Sequence, residues 1–195
     1  MEFVIKVPGS SANLGCGFDT LAVAISVYLI VYVNYDNQTC YRIKNLSNMD
    51  IETDIESNLI LKTARMVACL FDLELPFVEL RIKNEIPLKR GMGSSSAAIV
   101  AGIVLADRLC NLSLSKEQML NIGFLLEPHT DNISASLYGN LTISLTNNIE
   151  SEYLGGGAHL RELFANGKLL IKDLPSACSS LSLEVTTVPQ NSYIY

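Results

Sequence analysis

The sequence predicts a mixed α+β fold, and three observations carry that prediction. Apolar and polar residues alternate in strand fashion near both ends of the first 146 residues, while apolar residues recur at helical spacing between them. One of the helical segments is apolar on nearly every side, so it must lie inside a layered core. A chain of 195 residues with 49% hydrophobic content can bury such a core.

Taken in order, Phe3, Ile5 and Val7 alternate in a first strand expected to stop at Pro8, and a Ser/Asn/Gly loop follows to Asp19. The apolar run over residues 21–33 predicts one or two buried strands. Ser57 is expected to cap a helix reaching about Leu70, with Ile60, Ala64, Val67 and Phe71 on one face. Val78, Leu80 and Ile82 alternate with Glu79, Arg81 and Lys83, the pattern of a half-buried strand. Residues 97–106 contain no polar side chain and predict a central helix over about 95–110. Ser115 and Gln118 form a capping box for a helix ending near Glu127, and a short helix starts near Thr130. Leu141, Ile143 and Leu145 then alternate with Thr142, Ser144 and Thr146 in a further strand. Beyond residue 146, "LGGGAHL" reads as a flexible connection, and residues 169–171 and 181–185 look like strands. The expected organisation is one domain over residues 1–146 and, over 147–195, a connection with the incomplete start of a second domain.

A net charge of −6 without any Lys/Arg cluster argues against a nucleic-acid partner. Five scattered cysteines without CxxC spacing indicate neither a disulfide framework nor a zinc site, and fit reduced cytoplasmic thiols. The N-terminus lacks an export pattern, and the apolar run over residues 21–33 is too short to cross a bilayer, so the expectation is a soluble protein without a membrane partner.

Chemistry is expected at "PLKRGMGSSS", residues 87–96. Glycine and serine are disfavoured inside helices, one for its backbone entropy and the other for its competing hydrogen bonds, so their cluster belongs to a helix start. There, unpaired backbone N–H groups and the positive end of the helix dipole meet, which suits an anion. Gly91 and Gly93 let the backbone approach a phosphate, and the hydroxyls of Ser94, Ser95 or Ser96 can reach phosphate oxygens or a magnesium ion. A turn and one cap would also use these residue types, but three serines exceed that need. Lys89 and Arg90 either offset phosphate charge or form a solvated basic pair. The spacing matches neither G-x-x-x-x-G-K-[ST] nor G-x-G-x-x-G.

It is similar instead to the second signature of the GHMP kinases, P-x-x-x-G-[LM]-G-S-S-[SGA]-A-A, through Pro87, Gly91, Met92, Gly93, Ser94, Ser95, Ser96, Ala97 and Ala98. "VPGSSANLGCGFDTL", residues 7–21, resembles the family's first signature in its homoserine kinase form. "EPHTDN", residues 127–132, resembles E-x-H-P-D-N with the proline moved from position 130 to 128. The three stand in family order, the likeness spans about residues 3–146, and the comparison it invites is with fungal-type homoserine kinases.

The resemblance implies a GHMP kinase-like α+β N-terminal domain, of the ribosomal protein S5 domain 2-like type, with an incomplete C-terminal domain. It implies transfer of the γ-phosphate of ATP to the hydroxyl of L-homoserine, giving O-phospho-L-homoserine for threonine biosynthesis. ATP would then contact Pro87, Lys89, Arg90, Gly91, Met92, Gly93, Ser94, Ser95, Ser96 and Ala97, with Asn58 on the adenine side. Ser95 and Glu127 would hold Mg2+, Asn13 and Asp19 would hold the substrate with Asp19 at its ammonium group, and Asn132 would orient the attacking hydroxyl. Asp131 is placed to accept the hydroxyl proton, but phosphoryl transfer asks mainly for alignment and charge dispersal, so the base stays open. A homodimer is compatible with this reading.

Three departures stand against it. Cys16 replaces a usual proline, Pro128 alters the backbone next to Glu127, and the family's third glycine-rich signature is not met, Arg161 being no substitute for its arginines. The alternatives are another small-molecule kinase of the family, such as mevalonate kinase, and a nucleotide-binding relic without turnover.

Overall fold

Over residues 2–127, 130–146 and 183–188, which the computed structural model describes, strands and helices succeed one another as an α+β fold. The order is β1 (Glu2–Ala12), β2 (Leu21–Asn34), β3 (Arg42–Asn45), α1 (Leu59–Leu70), β4 (Glu79–Asn84), α2 (Ser94–Cys110), α3 (Lys116–Leu126), α4 (Thr130–Tyr138), β5 (Leu141–Thr146) and β6 (Leu183–Val188).

The apolar run forms one strand, and β2 organises the sheet. β1 runs antiparallel along it, so β4 and β5 share what β1 leaves, β4 pairing with Leu29 to Asn34 and β5 with Leu21 to Val23. β3 adds to β4 in parallel, and β6 adds to β5 antiparallel. The first strand does not stop at Pro8. It shifts register between Pro8 and Gly9 and continues to Ala12, because an irregularity in the ladder tolerates a residue without an N–H. The expected loop therefore begins after Ala12, not at Pro8.

The predicted helix cap also moves by one residue. Asn58 Oδ1 accepts from the Leu61 N–H at 3.1 Å, whereas the Ser57 hydroxyl donates to Asp54 at 2.6 Å. This phase buries Ile60, Ala64 and Val67 and leaves Phe71 half-buried at the C-cap. The capping box of Ser115 and Gln118 forms as expected. The nearly all-apolar α2 lies in the centre, with Ala97, Ala101 and Leu105 fully buried against α1 and the sheet. β5 turns its hydroxyls inward: Thr142 and Ser144 are buried because Ser134 of α4 meets them at 3.1 and 2.8 Å.

The expected segments at residues 154–160 and 169–171 lie outside the described residues. The strand expected over 181–185 overlaps β6, which joins the same sheet as β5. Among the described residues no helix is long and apolar enough to cross a membrane. Cys16, Cys40, Cys69 and Cys110 are free thiols.

The approach of α1 to α2 is set by Gly102, where an added Cβ would stand 2.6 Å from the Ile60 carbonyl oxygen. Gly102→Ala should gain helix propensity of about 1 kcal/mol, yet overpacking costs about 1–3 kcal/mol. A net loss of stability in urea denaturation is expected, and a gain would show that the two helices can part freely.

Candidate functional site

The loop between β4 and α2 is held at both ends by one side chain. Asn84 is buried; its Oδ1 accepts from the Ile86 N–H at 3.0 Å, and its Nδ2 donates to the Ile86 carbonyl at 3.3 Å and to Ser94 Oγ at 3.5 Å. Within the loop, φ is positive at Lys89 (57°), Gly91 (69°) and Gly93 (65°) but not at the residues between. Such alternation turns neighbouring amides toward one concave side, the geometry of an anion nest. Lys89 holds this conformation without being glycine, at a cost of about 1–3 kcal/mol.

Helices α1 and α3 each receive a side-chain cap, but α2 does not: its N-cap is Gly93, with no side-chain hydrogen bond. Its first-turn amides therefore lack an acceptor of the usual kind. The Ala97 N–H donates to the Gly93 carbonyl at 2.9 Å, so that amide is engaged, and the Ala97 methyl is buried with Ser96. Those two residues make the floor of the loop. Ser94 is half-buried and Ser95 exposed, which leaves these hydroxyls, with Lys89, Arg90 and Gly91, on the accessible side; Pro87 leads the chain in.

Three distant stretches meet at the end of the loop. The Ser10 N–H on β1 donates to the Met92 carbonyl at 3.1 Å, and the Ser10 hydroxyl donates to Asn132 Oδ1 at 2.8 Å. A Cβ on Gly93 would collide with Ser10 Oγ and come within 3.1 Å of Asn132 Oδ1. Glycine is therefore required here by space as well as by φ. Asp131 is buried beside them; its Oδ1 accepts from the Asn132 N–H at 2.7 Å, and its Oδ2 has no partner among the described residues. A buried carboxylate oxygen without a partner is costly unless a ligand group completes it.

Three residues past Ser10, Asn13 and Asp19 close a loop on each other, the Asp19 N–H donating to Asn13 Oδ1 at 2.8 Å. Both are exposed and both have positive φ, 57° and 51°. Strain of this kind in non-glycine residues concentrates at functional loops. On the other side of the glycine-serine loop lies a cavity of about 340 Å³, walled by Leu29, Ile60 and Ile82 and edged by Lys89, Ser94 and Ser95. Asn58 lines it, but its carboxamide is engaged, Oδ1 with α1 and Nδ2 with the Glu52 carbonyl at 2.6 Å. Each end of the carboxamide keeps one further hydrogen-bonding position, a second N–H on Nδ2 and a second lone pair on Oδ1.

Glu127 is half-buried as the C-cap of α3, its N–H bonded to the Gly123 carbonyl. Pro128 and His129 lie outside the described residues. No group of three or more His, Cys, Asp or Glu among the described residues could hold a metal, so an ion here would take most of its ligands from a bound phosphate chain and water. The hydroxyl of Ser95 and the carboxylate of Glu127 are hard oxygen donors of the kind magnesium accepts. Sequence reasoning missed Ser10 and Asn84. Ser10 stood in a stretch read as loop, and nothing in the local pattern distinguishes Asn84 from any other strand end.

Comparison with known proteins gives this geometry a context. Residues 58–140 match the GHMP kinases N terminal domain. The chain is 45% identical over 147 residues to a homoserine kinase of Bacillus velezensis, covering 74% of this chain and 47% of that protein. It is 40% identical over 157 residues to a homoserine kinase of Halalkalibacterium halodurans, covering 80% and 50%. The chain thus spans about half the length of the curated relatives it matches. Among solved structures, a Listeria monocytogenes protein described as a candidate homoserine kinase superposes with a TM-score of 0.67 at 28% identity, covering 92% of this chain and 72% of that one. The phosphomevalonate kinase of Streptococcus pneumoniae shares the fold with a TM-score of 0.70 at 16% identity, covering 98% and 59%.

The two loop glycines should respond differently to a methyl group. Gly91 has open space around an added Cβ, so Gly91→Ala meets only the backbone penalty of about 1 kcal/mol. Gly93→Ala adds the collision with Ser10 and should cost at least about 2 kcal/mol in thermal or denaturant unfolding. Equal losses for the two would show that the contact with β1 is slack.

Proposed function

Residues 58–140 match the GHMP kinases N terminal domain, and we propose that this chain is the nucleotide-binding part of a homoserine kinase, transferring the γ-phosphate of ATP to the side-chain hydroxyl of L-homoserine. The observation that carries the proposal is the meeting of Ser10, Gly93 and Asn132, which sets the mouth of an uncapped helix start against the side chain proposed to orient the acceptor hydroxyl. The names of the relatives, at 40–45% identity, supply the substrate.

In this reading the base of ATP enters the cavity beside Asn58, and its phosphates lie on the amides and hydroxyls of Gly91, Gly93, Ser94 and Ser95. Lys89 and Arg90 offset phosphate charge from the exposed side. Ser95 and Glu127 hold Mg2+, which when bound draws charge from the transferring phosphate. Asp19 takes the ammonium group of homoserine with Asn13 beside it, and Asn132 turns the hydroxyl toward the phosphate. Asp131 Oδ2, without a partner among the described residues, is the proton acceptor nearest to Asn132 in sequence, although a loose phosphoryl transition state does not require one. The division at residue 146 and a cytoplasmic location belong to the same proposal, as does the product's use in threonine biosynthesis.

A coupled ADP-release assay with L-homoserine, mevalonate and galactose, each with and without magnesium, tests the reading. Turnover on homoserine alone is expected; turnover on mevalonate instead would move the substrate to another branch of the family, and nucleotide binding without turnover would leave a binding relic. Ser95→Ala and Glu127→Ala should each lower the magnesium-dependent rate by about tenfold or more. An unchanged rate would remove both residues from the metal site.

A further inference from the structure

Ser10 does more than join β1 to the loop. It is fully buried, and its hydroxyl hydrogen faces two oxygens of one residue, Asn132 Oδ1 at 2.8 Å and the Asn132 carbonyl at 3.3 Å. A carbonyl can only accept, so Ser10 is the donor in that pair. The Ser136 hydroxyl, also buried, lies 3.5 Å from Ser10 Oγ on the donating side, so the hydroxyls run in one direction, from Ser136 through Ser10 to Asn132. With Oδ1 taken by Ser10, the Asn132 carboxamide has one orientation in which both ends are served, Nδ2 turning toward Asp131 Oδ1 at 3.5 Å. A flipped amide would turn Oδ1 toward Asp131 Oδ1, setting two acceptors against each other, and would leave the Ser10 hydrogen only the longer contact to the Asn132 carbonyl.

We propose that Ser10 is a positioning residue of this site: its hydroxyl locks the Asn132 carboxamide so that the Nδ2 amide, not the Oδ1 oxygen, is presented to the acceptor hydroxyl beside the partnerless oxygen of Asp131. The inference rests on the kinase reading above for what Asn132 meets, but the locking of Asn132 stands on the contacts alone. The arrangement also links donor and acceptor sites. The same Ser10 fixes Met92 and Gly93 through its N–H and its close approach, so the position of Asn132 is referenced to the phosphate loop itself. An orienting group referenced to the donor loop keeps attack distance constant when either element breathes, which is where misplacement by about 1 Å costs about a hundredfold in rate.

The test compares the whole 195-residue chain with Ser10→Ala, Ser10→Cys, Asn132→Ala and Ser10→Ala/Asn132→Ala. Ser10→Ala should lower kcat about tenfold with KM for ATP unchanged, Ser10→Cys should fall between, and the double variant should be no slower than Asn132→Ala alone, since Ser10 acts through Asn132. A kcat within about twofold of the parent, a loss confined to KM for ATP, or additive losses in the double variant would overturn the proposal. A second readout does not need turnover. The Asn132 side-chain amide pair, identified by its absence in Asn132→Ala, should shift in nuclear magnetic resonance spectra of Ser10→Ala and largely return in Ser10→Cys. If the parent chain has no kinase activity but these signals behave as stated, the kinase reading fails and the locking of Asn132 stands. If the signals do not move in a folded Ser10→Ala chain, the locking fails whatever the activity.

Discussion

The architecture depends on backbone lying directly against backbone where β1 passes the end of the loop between β4 and α2. An added Cβ on Gly9 would stand 3.1 Å from the Met92 carbonyl, and one on Gly93 would strike Ser10, so each segment contributes a residue without a side chain to the contact. The Ser10 N–H bond to Met92 closes it. Interiors at protein density transmit such a contact rather than absorbing it, so a shift of the sheet is passed to the loop and to Asn132 on α4. The helix dipole of α2 then points where the sheet directs it, which gives a weak partial charge a defined target.

Much of the fold is legible from local pattern. The alternation of Val78, Leu80 and Ile82, the apolar run of α2 and the reciprocal bonds of Ser115 and Gln118 each involve neighbours in sequence, and each appears as expected. What escaped depends on distant partners. β3 is four residues long and parallel to β4, and pairing rather than composition makes it a strand. β1 continues past Pro8 because β2 remains alongside it. Asn58 rather than Ser57 caps α1, the Ser57 hydroxyl being engaged instead by Asp54 of the preceding turn.

The site divides along the same line. The helix start that its glycines and serines announce was legible, and α2 begins at Ser94 behind a Gly93 N-cap. The connectivity of the site was not. Ser10 and Asn132 are 122 positions apart, and no periodicity predicts their contact. Asn58, expected on the adenine side, lines the cavity while it also caps its own helix and bonds to the Glu52 carbonyl, two duties its position in the sequence does not announce.

Strand β6 carries a consequence of its own. By pairing with β5 through Leu183 to Val188, it occupies a row of main-chain groups that would otherwise stand bare at the margin of the sheet. Bare ladder groups recruit other chains. Among the described residues the selvage of the sheet is thus β6 rather than β5, and a further strand joining this side would pair there.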